Sequence, residues 1–146
     1  MDQNYDALKL SNQLCFPLYA ASREITRKYT PLLKKIDLTY TQYIVMLVMW
    51  EAKSLTVGEL GKKLYLDTGT LSPLLKAMEE KGLLTRTREK NDERVVKIMI
   101  TPEGEALKDI ALEIPQKMSG CVTLSPQEAG TLYSILYKIL KGMDEE

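Results

Sequence analysis

The fold turns on residues 66–104, LDTGTLSPLLKAMEEKGLLTRTREKNDERVVKIMITPEG. Asp67 or Thr68 can cap a helix whose Leu71, Leu74, Leu75 and Met78 fall on one face, and Gly82 can end it. Strand-like residues follow in two runs, 83–88 and 94–101, the second rich in β-branched side chains. The EKNDE between them is turn chemistry. Just upstream, Thr56 precedes a short helix with Val57, Leu60 and Leu64 on one face. A short helix, a tight turn, a second helix that opens on small polar residues, and then a hairpin together predict a winged helix-turn-helix.

Outward from this core the chain reads as helical. LTYTQYIVMLVMWEA (38–52) is apolar almost all round, as a central buried helix is, with Thr39 or Thr41 as its cap. Apolar spacing at Leu10, Leu14, Leu18, Ala21, Ile25 and Leu32 predicts a first helix from about Tyr5 or Leu10 to about Lys35. Pro17 should bend or restart it near Cys15, and Pro31 should break it. Residues 102–118 and 125–143 read as two more helices, the last opened by a Ser125/Glu128 capping box. Neither internal repeats nor low-complexity segments are present. The expected class is mainly α, with a two-stranded wing.

Composition narrows the chemistry. A chain of 146 residues, 45% apolar and 27% charged, fits one domain with a real core. The polar first residues do not read as a signal peptide, and the longest apolar run, YIVMLVMW, is far too short to cross a membrane. A cytoplasmic protein is expected. With no His, a Ser-His-Asp triad, a Cys-His pair and an H-E-x-x-H zinc helix are excluded. The two cysteines, Cys15 and Cys121, form neither a C-x-x-C pair nor a four-ligand site, and no phosphate-binding glycine motif appears. No metal, cofactor or enzymatic site is expected. The net charge of zero hides an asymmetry: residues 53–101 carry ten Lys/Arg against seven Asp/Glu, residues 102–146 four against eight. A basic middle suits an anionic partner.

Taken together, residues 66–104 resemble the MarR family of winged-helix transcription regulators. The D-E-R turn at Asp92, Glu93 and Arg94 and the T-x-x-G at Thr101–Gly104 carry the resemblance most specifically. It implies one domain over 1–146, with residues 37–102 as the DNA-binding lobe and 1–36 and 103–146 as a helical dimerisation region. It also implies a two-fold homodimer on a palindromic stretch of double-stranded DNA. Physical reasons stand beside it. Thr68, Gly69, Thr70 and Ser72 are short enough to let a helix approach base edges in a major groove. Pro73 offers a methylene face to a thymine methyl, and Lys76 is placed for phosphate. Arg86, Arg88, Lys90 and Arg94 charge the wing. By resemblance, Arg94 enters the minor groove and Asp92 steadies it.

The segment QLCFPLYAASREITRKYTPLL…LTYTQY further resembles the organic-hydroperoxide-sensing repressors of that family. There the N-terminal Cys is the sensor, and two tyrosine hydroxyls of the partner subunit hydrogen-bond to it. The matching positions are Cys15, Tyr29 and Tyr40, although Thr41 stands where the subgroup often has Pro. Independently, Cys15 lies near a helix start, where backbone amides favour negative charge. Phe16, Leu18, Tyr19, Met46 and Trp50 are candidates for the pocket that takes a peroxide's apolar tail. Cys121 is a candidate resolving thiol, with a low-molecular-weight thiol as the alternative. Three other readings stay open: a family member that answers to a phenolic or aromatic ligand, a broader redox-responsive regulator of the same thiol type, and a thiol peroxidase built on the same Cys15.

Overall fold

The computed structural model describes residues 3–144. Seven α-helices and a small antiparallel sheet form in the described residues: α1 (Cys15–Leu33), α2 (Tyr40–Ala52), β1 (Ser54–Thr56), α3 (Val57–Leu64), α4 (Thr68–Glu80), β2 (Leu84–Arg88), β3 (Val96–Ile100), α5 (Pro102–Ala111), α6 (Glu113–Ser119) and α7 (Pro126–Asp144).

The local signals act where the sequence places them. Thr39 caps α2 in a full capping box with Gln42, Thr56 caps α3, and Asp67 caps α4 through its Oδ1, which accepts the Thr70 amide at 2.7 Å. Gly82, with φ of 79°, turns the chain out of α4. Thr101 caps α5, and its hydroxyl also donates to the Gly82 carbonyl at 2.6 Å. Gly104 follows because a Cβ there would lie 2.3 Å from the Leu83 carbonyl oxygen. The T-x-x-G signature thus staples α5 onto the end of the helix-turn-helix.

Four details depart from the sequence reading. The first helix begins at Cys15, and the residues before it form two 3-10 turns, Asp6–Leu8 and Leu10–Asn12. Pro17 therefore lies in the first helical turn, where its missing amide costs no intrahelical bond. Pro31 does not break α1. The helix continues to Leu33, whose burial holds the last turn, and a 3-10 turn (Lys34–Ile36) follows. The helix expected over 102–118 is two helices, α5 and α6, because Pro115 cannot donate to the Ala111 carbonyl. The sheet has three strands, not two, in the order β1-β3-β2. β1 pairs with β3 with Leu55 opposite Ile98, and β2 pairs with β3 with Arg86 opposite Ile98.

One core joins α2, α3, α4 and the sheet. Val45, Met46, Met49, Leu60, Leu75 and Ile98 have no exposed surface, and each such side chain contributes about 1.5–3 kcal/mol by leaving water. The Trp50 indole N–H donates to the Gly104 carbonyl at 2.9 Å and ties α2 to α5. In contrast α7, 19 residues long, buries none of its residues. Among the described residues no helix is long and apolar enough to cross a membrane.

Candidate nucleic-acid interface and thiol region

The turn between α3 and α4 is made tight by two residues. Tyr65 adopts a left-handed φ of 57°, and a Cβ on Gly61 would meet the Leu66 carbonyl oxygen at 2.7 Å. Close packing here sets the angle of α4. Its Leu71, Leu75 and Met78 enter the core, so Thr68, Gly69, Thr70, Ser72, Pro73 and Lys76 form one exposed face. The Ser72 hydroxyl donates to the Thr68 carbonyl at 2.9 Å, which keeps the side chain low on the helix surface. Pro73 has no amide to give the Gly69 carbonyl, so that acceptor lacks its usual intrahelical donor.

The wing is the β2–β3 hairpin. At its tip, Asp92 Oδ1 accepts the Arg94 amide at 3.0 Å and the Arg94 Nε at 3.2 Å. That bond fixes the base of a side chain that is otherwise 92% exposed. Arg88 donates to the Glu93 carbonyl at 2.7 Å and braces the turn, while Lys90 is exposed beside it. Arg86 is different. It is half-buried at the root of the wing and bound to Glu79 of α4.

The thiol region is not assembled within one chain. Cys15 is exposed at the first residue of α1. Tyr29 sits in the same helix fourteen residues on, so the two are separated by about 21 Å along the axis, at ~1.5 Å per residue. Tyr29 instead packs on Tyr40 with ring centroids 4.9 Å apart, and on Tyr43 at 5.6 Å. Burial, then the neighbouring Tyr40, pushes the Tyr29 phenol above its ordinary 10.0, so it stays protonated and able to donate. Tyr43, which the sequence reading did not single out, is likewise pushed up by burial. Its Tyr40-x-x-Tyr43 spacing on one face of α2 was the available signal.

The five expected pocket residues divide. Phe16, Leu18 and Tyr19 are exposed, Met46 has no accessible surface, and Trp50 is 7% exposed in the core. Tyr43, Leu47, Trp50, Lys108 and Leu112 line an open apolar groove of about 390 Å³ between α2 and the α5–α6 junction. Cys121 is exposed just past α6, its thiol 3.8 Å from the Lys117 carbonyl.

An exposed polar helix face beside a charged hairpin, both carried on one packed core, defines a winged-helix DNA-binding protein. The chain belongs to the transcriptional regulator SarA/Rot family, whose profile matches residues 27–110. It is 47% identical over 146 residues to the organic hydroperoxide resistance transcriptional regulator of Bacillus subtilis (strain 168), covering 100% of this chain and 99% of that protein. It is similar to AbfR of Staphylococcus epidermidis, solved in several states. Reduced AbfR bound to DNA superposes with a TM-score of 0.78 at 33% identity, covering 97% of this chain and 99% of that one. Overoxidised AbfR bound to DNA gives 0.78 at 33% identity over 94% and 97%, and the disulfide form 0.66 at 33% over 92% and 95%. A mutant MarR of E. coli, complexed with operator DNA, shares the fold with a TM-score of 0.77 at 24% identity, covering 94% of this chain and 99% of that one. The expected MarR-type winged helix is therefore the fold found, in a family of DNA-binding regulators rather than enzymes.

Proposed function

We propose that this protein is a homodimeric repressor that releases its DNA when an organic hydroperoxide oxidises Cys15. One observation carries the reading: Cys15 is exposed at one end of α1, while Tyr29, packed against Tyr40, lies about 21 Å further along the same helix. Only a second chain can bring the phenols to the thiol. The 19-residue α7 supports the same dimer: it buries none of its residues, and Tyr133 and Ile135 are 64% and 50% exposed. Two α4 helices related by a two-fold axis would then read successive major grooves through Thr68, Gly69, Thr70, Ser72, Pro73 and Lys76. The Arg88, Lys90 and Arg94 wing would reach the flanking minor groove.

In the chemistry, the Cys15 thiolate sulfur bonds to one peroxide oxygen and the O–O bond breaks. The alkoxide leaves and takes a proton as the alcohol, and the sulfur is oxidised by two electrons to sulfenic acid. Neutral phenols of Tyr29 and Tyr40 of the partner subunit donate to the thiolate and to the peroxide oxygen. Phe16, Leu18 and Tyr19, exposed around Cys15, would hold the apolar tail against the groove beside Trp50 of the partner subunit, while Met46, fully buried in the core, is left out of the pocket. A second thiol, Cys121 or a low-molecular-weight thiol, then displaces water from the sulfenic acid to give a disulfide.

A second reading, an aromatic ligand as signal, is favoured by an open groove of about 870 Å³ between the α3–α4 turn and the end of α7. One experiment separates them. Binding to the upstream region of the protein's own gene is measured before and after stoichiometric cumene hydroperoxide, and again after dithiothreitol. Wild type should lose and regain binding while Cys15→Ser stays bound throughout. Equal binding by both proteins with peroxide would sink the thiol reading and move attention to the 870 Å³ groove. Cys121→Ser, losing binding less readily than wild type, would mark the resolving thiol.

A further inference from the structure

We infer that Glu79, through Arg86, is the positioning residue that sets the wing's angle to the reading helix α4, and that Arg86 is spent on this strut rather than on DNA. Five basic side chains decorate the hairpin, Arg86, Arg88, Lys90, Arg94 and Lys97, and only Arg86 is bound to a carboxylate of another element. Glu79 divides its two oxygens. Oε2 accepts the backbone amide of Arg86 at 2.9 Å, and Oε1 accepts Nε at 3.4 Å and Nη2 at 3.3 Å. The carboxylate therefore grips both the strand and the side chain, so it resists rotation of β2 about its own axis as well as sliding along α4. The register explains the reach: Arg86 lies opposite Ile98, whose side chain is fully buried, so Arg86 shares the face that turns toward the core and α4. Glu79 is in the last turn of the reading helix, and the chain between them is the Gly82 turn and Leu83. Among the described residues no other side chain hydrogen-bonds α4 to the wing; the Met78 carbonyl accepting the Leu83 amide is a main-chain bond at the turn.

The consequence is for specificity. A helix in a major groove and a hairpin tip in the next minor groove bind one duplex together only when their separation is fixed in advance. Because Glu79 neutralises Arg86, the strut adds nothing to general attraction for phosphate, which is left to Lys76, Arg88, Lys90 and Arg94.

The test uses a duplex selected from a random pool on the full-length wild-type protein, beside a shuffled duplex of the same composition. Glu79→Ala should weaken binding to the selected duplex about tenfold, the scale of one lost site contact, and leave the shuffled duplex unchanged or bound more tightly. Hydroxyl-radical protection in the flanking minor groove should fade before protection of the major-groove half-sites. Arg86→Ala should give the same loss with an unchanged salt slope, and the double variant should be no worse than either single. Glu79→Gln, which keeps an acceptor for the Arg86 amide, should fall between, and it serves the same test if the Ala variant unfolds. If Arg86→Ala lowers the salt slope by about one and weakens both duplexes equally, Arg86 is a phosphate contact and the inference fails. It fails as well if Glu79→Ala and Glu79→Gln leave both the preference between duplexes and the minor-groove protection unchanged.

Discussion

The reading head and the outer helices of this protein are built on opposite terms. In the head, α2, α3, α4 and the sheet bury their apolar faces against one another, and most polar ends are tied: Thr56, Asp67 and Thr101 cap helices, Trp50 donates to Gly104, Glu79 holds Arg86. The outer helices leave Phe16, Leu18 and Tyr19 of α1 and Tyr133 and Ile135 of α7 in solvent. The head is complete within one chain, whereas the outer helices carry a surface whose stabilising contacts must come from elsewhere. In the proposed dimer, a sensor on such a surface would act on both heads at once, because altering the shared contact would alter their spacing.

The largest expected effect tests that division directly. Met46→Ala, in the head, should cost about 2–5 kcal/mol whatever the protein concentration, read by urea denaturation at several concentrations. Ile135→Asp, on α7, should leave the head's secondary structure intact but dissociate the dimer in sedimentation equilibrium and make DNA binding steeply concentration-dependent. An Ile135→Asp protein that remains a dimer with unchanged DNA affinity would break the comparison. Next comes Trp50→Phe, which keeps most of the ring and removes the donor to the Gly104 carbonyl. A loss of about 1–3 kcal/mol is expected for a buried acceptor left unmet, with dimerisation untouched. A fall in dimer affinity instead would show that α5 belongs energetically to the outer helices.

Smaller effects come from titration. Asp67 and Glu128 have their carboxyls held below the ordinary 3.8 and 4.5 by the amides they cap, Thr70 and Ser125 respectively. A folded-state value lowered in this way stabilises at neutral pH and is lost as pH falls through the ordinary carboxylate range to the lower folded value. Asp67→Asn should therefore be less stable than wild type at pH 7, with the difference shrinking as the medium is acidified; a difference that grows would refute the cap assignment. Tyr29 and Tyr43 run the other way. Burial raises their phenols, so folding favours the protonated form and stability declines as pH rises above 10.0. Ultraviolet titration should find three phenols ionising late, the third being Tyr137, raised by its hydrogen bond with Tyr133, and in Tyr29→Phe only two.

Much of the head was legible because its signals are local. The caps at Thr39, Thr56 and Asp67 act within three residues of where they stand, as does that of Ser125 on α7, and the alternation of β2 and β3 needs only neighbours. β1 was missed because three residues are too short to show a period; they become a strand only by pairing with β3, some forty residues on. Pro31 misled because its cost is local, whereas the burial of Leu33 that outweighs it is tertiary. Arg86 read as one more basic residue of a wing, since a carboxylate seven positions upstream gives no sequence signal of facing it. The site residues separate in the same way: Thr68 to Lys76 could be placed on one helix face from spacing alone, but the distance between Cys15 and the tyrosines appears only once α1 is known to run unbroken between them.

By itself, then, the sequence determined the helices, their caps, the turn that exposes the reading face, and the residue types available for DNA and for thiol chemistry, because each depends on interactions a few positions apart. The tertiary structure decided which residues meet. It made Arg86 a strut and Trp50 an anchor, gathered Tyr29, Tyr40 and Tyr43 into one cluster, and left Cys15 and α7 facing outward, since those outcomes depend on which buried surfaces compete for the same space.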